Sequence, residues 1–366
     1  MRKALRVCSV GVVVLAGCGG GGGGSGGSSG DTGSSSSSAT ACSVTQKESE
    51  LSAALTVAPS DVDFSFSVER ADGRRFSFSR GASTMTTAYE SASTSKLVTA
   101  VMILRLVEQG YLNLSDRPQD RIPGWPITNS DPLYNMTLAQ LLSFTSGLTV
   151  EPLCLNAPGA DFASCVSSIA TTNAGNGITP GTQFYYASTH LQVAGLMAMK
   201  ARGFSSWTQV FDEFRTQTGL FPSGAYDLPS SSNPRLAGGM HWTGNEYMNF
   251  LKSLKNGALL NASSMTEFLK DRTGAGVSIV YSPAAALGEE WHYGFGFWHE
   301  CQSATFNCTP ATRISSPGAY GAYPFWDRGK SYFGMLARQG ALGTFTNGMT
   351  TARAVQPQVD AWAACM

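Results

Sequence analysis

The chain has 366 residues, with 25 basic and 25 acidic side chains and a formal net charge of zero at pH 7. That balance, with no long run of one sign, excludes the basic footprint of a nucleic-acid-binding protein. Charged residues are 14% and aromatics 10% of the chain, and no solenoid-length repeat interrupts it, so a large packed core of more than one layer is expected.

The first segment, residues 1–17, starts with Arg2, Lys3 and Arg6 and continues as an apolar run from Val10 to Ala16. That run is too short to span a bilayer. With Leu15-Ala16-Gly17-Cys18 at its end, it resembles the bacterial lipoprotein signal, in which the cysteine is lipidated and becomes the mature N-terminus. An ordinary secretory signal with an incidental cysteine is the alternative. The resemblance implies a protein of the bacterial cell envelope, anchored to a membrane through Cys18 and facing the periplasm or exterior. Residues 18–41 are mostly Gly and Ser, a composition that forms no core and predicts a flexible tether. Random-coil scaling gives that tether a reach of roughly 25–30 Å.

Residues 42–366 read as one domain. An amphipathic helix is predicted over 45–57. Val62–Glu69 and Arg74–Phe78 alternate like two strands around the hairpin turn Ala71-Asp72-Gly73. Ser93-Thr94-Ser95-Lys96 then opens a run, Leu97 to Leu104, that is apolar on nearly every side and predicts a buried helix. Glu108, Gly110 and Asn113-Leu114-Ser115-Asp116 mark its end. The stretch from 97 to about 270 is mainly helical in pattern, as in Leu138–Ser143, Leu191–Ala201 and Asn245–Lys255. Strand-like runs return at His292–Trp298, Ala319–Trp326 and Ser331–Ala337, with Asp327-Arg328-Gly329-Lys330 as the turn between the last two, and 350–364 predicts a closing helix. Strands at both ends around a helical middle imply an α+β fold. One antiparallel sheet would come from about 58–90 and 290–366, and a mainly helical part from about 91–289.

Of the eight cysteines, Cys8 lies in the signal and Cys18 at the proposed lipid site. The other six, an even number in an exported chain, suggest disulfides. Spacing favours Cys154–Cys165 and Cys301–Cys308, which leaves Cys42 to pair with Cys365 and requires the domain ends to meet. Metal binding is the competing reading. It finds no C-x-x-C pair, and His190, His241, His292 and His299 are scattered. Neither a metal nor an organic cofactor is expected.

Ser93 and Lys96 are three residues apart and share a helical face. A hydroxyl near its free pKa is a poor nucleophile and needs a base beside it. Lysine serves as that base when burial lowers its pKa. The helix start also offers free N–H groups and partial positive charge to a developing anion. The alternative is a Ser/Thr cap before a core helix, because S-x-x-K is short enough to occur by chance.

Further segments in order sharpen the choice. Met136–Leu148 ends in Thr145-Ser146-Gly147-Leu148. Pro180-Gly181-Thr182-Gln183-Phe184-Tyr185-Tyr186-Ala187-Ser188 follows, and then the glycine turn Leu236-Ala237-Gly238-Gly239-Met240. Together with the tetrad they resemble the penicillin-recognising serine hydrolases, in particular the class C β-lactamase-like branch with its D,D-peptidases, β-lactamases and carboxylesterases. The likeness covers nearly all of residues 45–350. It implies a β-lactamase-like fold and an acyl-enzyme on Ser93, with Lys96 and Tyr186 as base and proton shuttle. Nearby cations would have to lower the Tyr186 phenol pKa for base work. Tyr185 is the neighbouring competitor, and a core aromatic is the bland alternative for Tyr186. The oxyanion would rest on the N–H groups of Ser93 and Ala319. Ser316-Pro317-Gly318 stands where the family carries K-T-G or H-x-G, making Ser316 and Gly318 substrate-binding candidates along with Ser188.

Two departures bear on the substrate. Ser188 replaces an asparagine that in the family binds a substrate amide. Ser316 replaces a cation that would pair with a carboxylate, a loss of about 1.5–3 kcal/mol of charge-assisted hydrogen bonding. Arg313 offers a nearby replacement cation. No S-D-N tripeptide supports a class A mechanism, and no G-x-S-x-G elbow supports a Ser–His–Asp triad. The reading favours an esterase or small amidase acting on a small acyl substrate. A D,D-peptidase or weak class C-like β-lactamase comes second. A non-catalytic envelope binding module is the alternative of another class.

Overall fold

The structure is a computed structural model and describes residues 42–366; the signal, the tether and Cys18 lie outside the described residues. In chain order the strands are β1 (Phe64–Arg70), β2 (Arg75–Arg80), β3 (Ala88–Glu90), β4 (Gln183–Tyr185), β5 (Ala225–Tyr226) and β6 (Met240–Thr243). They continue as β7 (Ser278–Tyr281), β8 (His292–Tyr293), β9 (Trp298–His299), β10 (Arg313–Ser315), β11 (Tyr323–Asp327) and β12 (Tyr332–Ala337). The main sheet is antiparallel, in the order β2-β1-β12-β11-β10-β9-β8. β1 pairs with β12 from Ser65↔Ala337 to Arg70↔Tyr332, so both ends of the domain share one sheet. A disulfide between Cys42 and Cys365, with Cα atoms 5.4 Å apart, ties those ends together. Cys154–Cys165 and Cys301–Cys308 close two short loops. This is an α+β architecture, with one antiparallel sheet built from both ends of the domain, as expected.

The main sheet is covered on both faces, and β1 shows how. Successive side chains of a strand point to opposite faces. Glu69 pairs with Arg75 and with Lys252 of the helix Gly244–Lys255, each at 2.9 Å. Arg70 turns the other way and donates to the carbonyls of Trp362 and Cys365 at the C-terminal helix Gln356–Ala364. β1 is therefore buried along its whole length. The helix Val44–Val57 packs on Gln356–Ala364 and on β2. The helix Gly244–Lys255 begins with a reciprocal cap between Thr243 and Glu246, which satisfies two free N–H groups.

The helix Ser95–Glu108 runs through the core, buried without a break from Ser95 to Leu104 and packed on the helix Thr189–Arg202. Its apolar sequence on all sides fits that position. Among the described residues no helix is long and apolar enough to cross a membrane.

Three expectations need correction. The run His292–Trp298 is not one strand but the hairpin β8–β9. Gly294 N–H donates to Phe297 O, and Gly296 takes a φ of +75°, so the chain reverses between them. The run Ala319–Trp326 becomes a strand only at Tyr323. Before it, Gly318 N–H donates to Ala322 O and Gly321 N–H to Gly318 O, forming a tight turn. The closing helix is two helices, Phe345–Ala354 and Gln356–Ala364, broken at Val355 just before Pro357. β10, only Arg-Ile-Ser, is too short and polar to show an alternating pattern.

Candidate active site

Ala92 has a φ of +44°, a left-handed conformation that L-residues rarely adopt. The bend sets Ser93 in a single tight turn just ahead of the helix Ser95–Glu108. Hydrogen bonds lock this bend from behind. Ser91 N–H donates to Met240 O at 2.8 Å, Thr94 Oγ1 donates to Ser91 O at 3.0 Å, and Ser95 Oγ donates to Ala92 O at 2.9 Å. Trp242 Nε1 donates to Thr94 Oγ1 and Tyr247 OH to Thr94 O, both at 2.8 Å. The two middle residues of the tetrad are thus fully buried fasteners, while Ser93 faces an open cleft of about 680 Å³.

Lys96 Nζ lies 2.8 Å from Ser93 Oγ and 2.8 Å from the carbonyl of Ala237. Its side chain is buried, and its Nζ sits 4.6 Å from the centre of the Tyr186 ring. Burial, helped by the charge of Arg235 and opposed by Glu151, lowers the amine from 10.5 to about 7. A glycine packs against the backbone of this lysine. A Cβ on Gly296 would come within 2.5 Å of the Lys96 carbonyl oxygen, so the β8–β9 turn approaches the helix at the lysine itself.

Tyr186 follows β4, and its N–H donates to Tyr281 O of β7 at 3.1 Å. Its ring stacks on Trp298 at 5.1 Å and its hydroxyl faces Ser93. Tyr185 also lines the cleft, its ring tilted against Tyr281 at 5.2 Å. The expected lowering of the Tyr186 phenol pKa is corrected: burial pushes it up, the hydrogen bond with Ser93 and the charge of Arg235 oppose this, and Glu151 and Tyr281 push it further up. Burial thus favours the neutral phenol, and of the two groups beside Ser93 it is the Lys96 amine whose pKa is brought near 7.

The N–H groups of Ser93 and Ala319 donate to no acceptor among the described residues, and both residues line the cleft. Ser316 and Gly318 stand behind it. Ser316 is 2% exposed, and its Oγ donates to Ser93 O at 3.0 Å. A Cβ on Gly318 would lie 2.6 Å from Ser91 O, so this glycine admits the Ser91–Ser95 bend rather than a ligand. Arg313 is also outside the cleft, held by Asp327, Gln356 and Tyr332.

Arg235, which the sequence reading missed, brings a guanidinium into the cleft. Its Nη2 pairs with Glu151 at 2.8 Å, Nη1 donates to Asn156 at 2.8 Å and Nε donates to Ser188 Oγ at 3.0 Å. Glu151 also accepts from Ser188 N–H. Burial raises the Glu151 carboxyl, but Arg235 and Ser188 outweigh it and leave it below its ordinary value. The available signal was position: Arg235 directly precedes the glycine turn, and Glu151 lies just after Leu148. No histidine lines this cleft. His190 is buried between Ser146 Oγ and Tyr185 O, and burial lowers it to about 4.

The site's geometry can be set beside known proteins. Penicillin-binding protein 4 of Amycolatopsis lactamdurans is 29% identical over 143 residues, which are 38% of this chain and 36% of that protein, so the match spans about a third of the relative's length. Among solved structures, a beta-lactamase candidate from Bacteroides dorei superposes with a TM-score of 0.68 at 24% identity, covering 86% of this chain and 99% of that one. EstCE1, a hydrolase with promiscuous acyltransferase activity, gives 0.66 at 17%, covering 87% and 98%. At these identities the structures establish the fold alone. The family model described as Beta-lactamase matches residues 68–361. The chain belongs to the beta-lactamase family of serine hydrolases.

Proposed function

We propose that the protein is an exported hydrolase that forms an acyl-enzyme on Ser93, and that its substrates are esters or small amides. The observation that carries this is the 2.8 Å contact between Ser93 Oγ and a buried Lys96 amine lowered to about 7. A neutral amine there accepts the Ser93 proton as Oγ bonds to the substrate carbonyl carbon. The carbonyl oxygen becomes an anion facing the Ser93 and Ala319 N–H groups. On collapse, the bond to the leaving oxygen or nitrogen breaks, and the proton passes from Lys96 to that atom, with Tyr186 OH as relay. Water repeats the sequence: its proton goes to Lys96, its oxygen bonds the acyl carbon, and Ser93 recovers the proton as the acid departs.

A D,D-peptidase or weak β-lactamase is the second reading, favoured by Arg235 as a cation in the cleft. Its charge is already paired with Glu151, which weakens its call on a substrate carboxylate. A panel of aryl esters, D-alanyl peptides and cephalosporins separates the two. Ester turnover without cephalosporin hydrolysis supports the first; efficient release of terminal D-alanine overturns it. A non-catalytic binding module predicts no Ser93-dependent labelling by a fluorophosphonate.

The export reading is supported by the three disulfides, which persist in oxidising compartments. With Cys18 lipidated, the domain would stand on a tether from a membrane of the cell envelope. Cys18→Ala should move the protein to the soluble fraction; unchanged membrane recovery contradicts the anchor.

A further inference from the structure

Ser93 stands where two spaces of different size and chemistry meet. One is the large cleft, which holds Lys96, Glu151 and Arg235. The other is a recess of about 90 Å³, walled by Trp291, Trp298, Pro317, Phe345 and Ala284. Its lining carries no charged side chain. Trp291 and Trp298 are buried and meet edge to face at 5.9 Å. The one indole N–H of Trp291 is spent on Glu289 at 2.8 Å, which Arg353 holds in turn. Ser93, Tyr186 and Ala319 border both spaces, whereas Lys96 opens only into the large cleft.

We propose that the recess is the acyl pocket and that the enzyme is selective for short, apolar acyl groups. The inference rests on Ser93 being the nucleophile and adds the substrate class. Proton traffic decides which half of the substrate goes where. Lys96 opens only into the large cleft and takes the proton of the deacylating water, which attacks from the place the leaving group has vacated, so the leaving group lies in the large polar cleft. The acyl substituent is then directed into the recess. At roughly 30 Å³ for each small group, the recess holds about three heavy atoms beyond the carbonyl, the size of a butyryl chain. Each methylene that fits should raise the rate constant kcat/KM about fourfold. A longer chain outruns the recess and must displace one of its walls or fold back into the polar cleft. The large cleft tolerates a bulky polar leaving group and admits the water for deacylation beside Lys96.

The test is a series of p-nitrophenyl esters from acetate to decanoate, with the leaving group constant. The wild type should gain about fifteenfold in kcat/KM from acetate to butyrate, two methylenes at about fourfold each, and lose at least tenfold by octanoate. Ala284→Leu fills the recess and should abolish the butyrate-to-acetate gain. Phe345→Ala enlarges it and should move the optimum to hexanoate or beyond. Ratios between esters on one preparation are independent of how much of it is folded. A wild-type rate that climbs steadily to decanoate, or an optimum unmoved in both variants, overturns the acyl-pocket assignment. Intact mass separates that failure from a deeper one: if no ester leaves a Ser93-dependent acyl adduct, the nucleophile assignment itself falls.

Discussion

Lys96 offers the sharpest prediction, because its titration should appear directly in the acylation rate. Burial takes the amine from 10.5 to about 7, a difference on the order of 5 kcal/mol between its charged and neutral forms. About half of the molecules then carry a neutral amine at pH 7, about a tenth at pH 6 and about a hundredth at pH 5. Single-turnover acylation by an aryl ester, followed by stopped flow at constant ionic strength, should rise about tenfold per pH unit below 7 and level off above about 8. An acylation rate flat from pH 5 to 9, or a limb centred near 10, refutes the assignment of Lys96 as base. The same shift has a stability consequence. The folded-state pKa lies below that of the unfolded chain, so the unfolded chain binds more protons between pH 7 and 10.5. Stability should therefore rise with pH across that window and be lowest below 7. Lys96→Met should erase that dependence and raise the urea midpoint at pH 7 while abolishing turnover; an unchanged midpoint contradicts the burial cost.

Tyr186→Phe keeps the stack on Trp298 and removes only the hydroxyl, so kcat should fall about 10²- to 10⁴-fold with little change in thermal midpoint. Parallel losses in both would assign the residue to packing. Gly296→Val forces a Cβ to within 2.5 Å of the Lys96 carbonyl at a φ of +75°, and should cost about 2 kcal/mol or more in urea unfolding along with most activity; wild-type stability and rate would remove the close-approach argument. Cys365→Ser opens a closure spanning 323 residues, and by chain entropy should lower stability by up to about 5 kcal/mol. A midpoint within error of wild type would mean that the terminal strands hold without the bridge.

Much of the fold was legible because local patterns and tertiary structure agree. The β1–β2 hairpin shows its alternation and its Asp72-Gly73 turn, and the helix Ser95–Glu108 shows the apolarity of a buried segment. The His292–Trp298 run misled because apolar residues line both arms of a tight hairpin. Its reversal depends on Gly296, whose left-handed backbone leaves no pattern in hydropathy. In the site, neighbours in sequence were readable and neighbours in space were not. Ser93 and Lys96 follow from helical spacing. Arg235 and Glu151 meet across 84 residues, and Ser316 reaches back 223 residues to the Ser93 carbonyl, so neither contact has a sequence signature. The Tyr186 phenol was read in the wrong direction because the cation beside it is visible in sequence, while its enclosure by Phe144, Tyr293 and Trp298 is not.

The most direct measurement is intact mass and peptide mapping after exposure to a fluorophosphonate or a slowly deacylating ester. The account predicts one adduct, on the peptide containing Ser93, absent in Ser93→Ala and formed more slowly in Lys96→Met. An adduct of equal yield in Ser93→Ala, or one mapped to another residue, would contradict it.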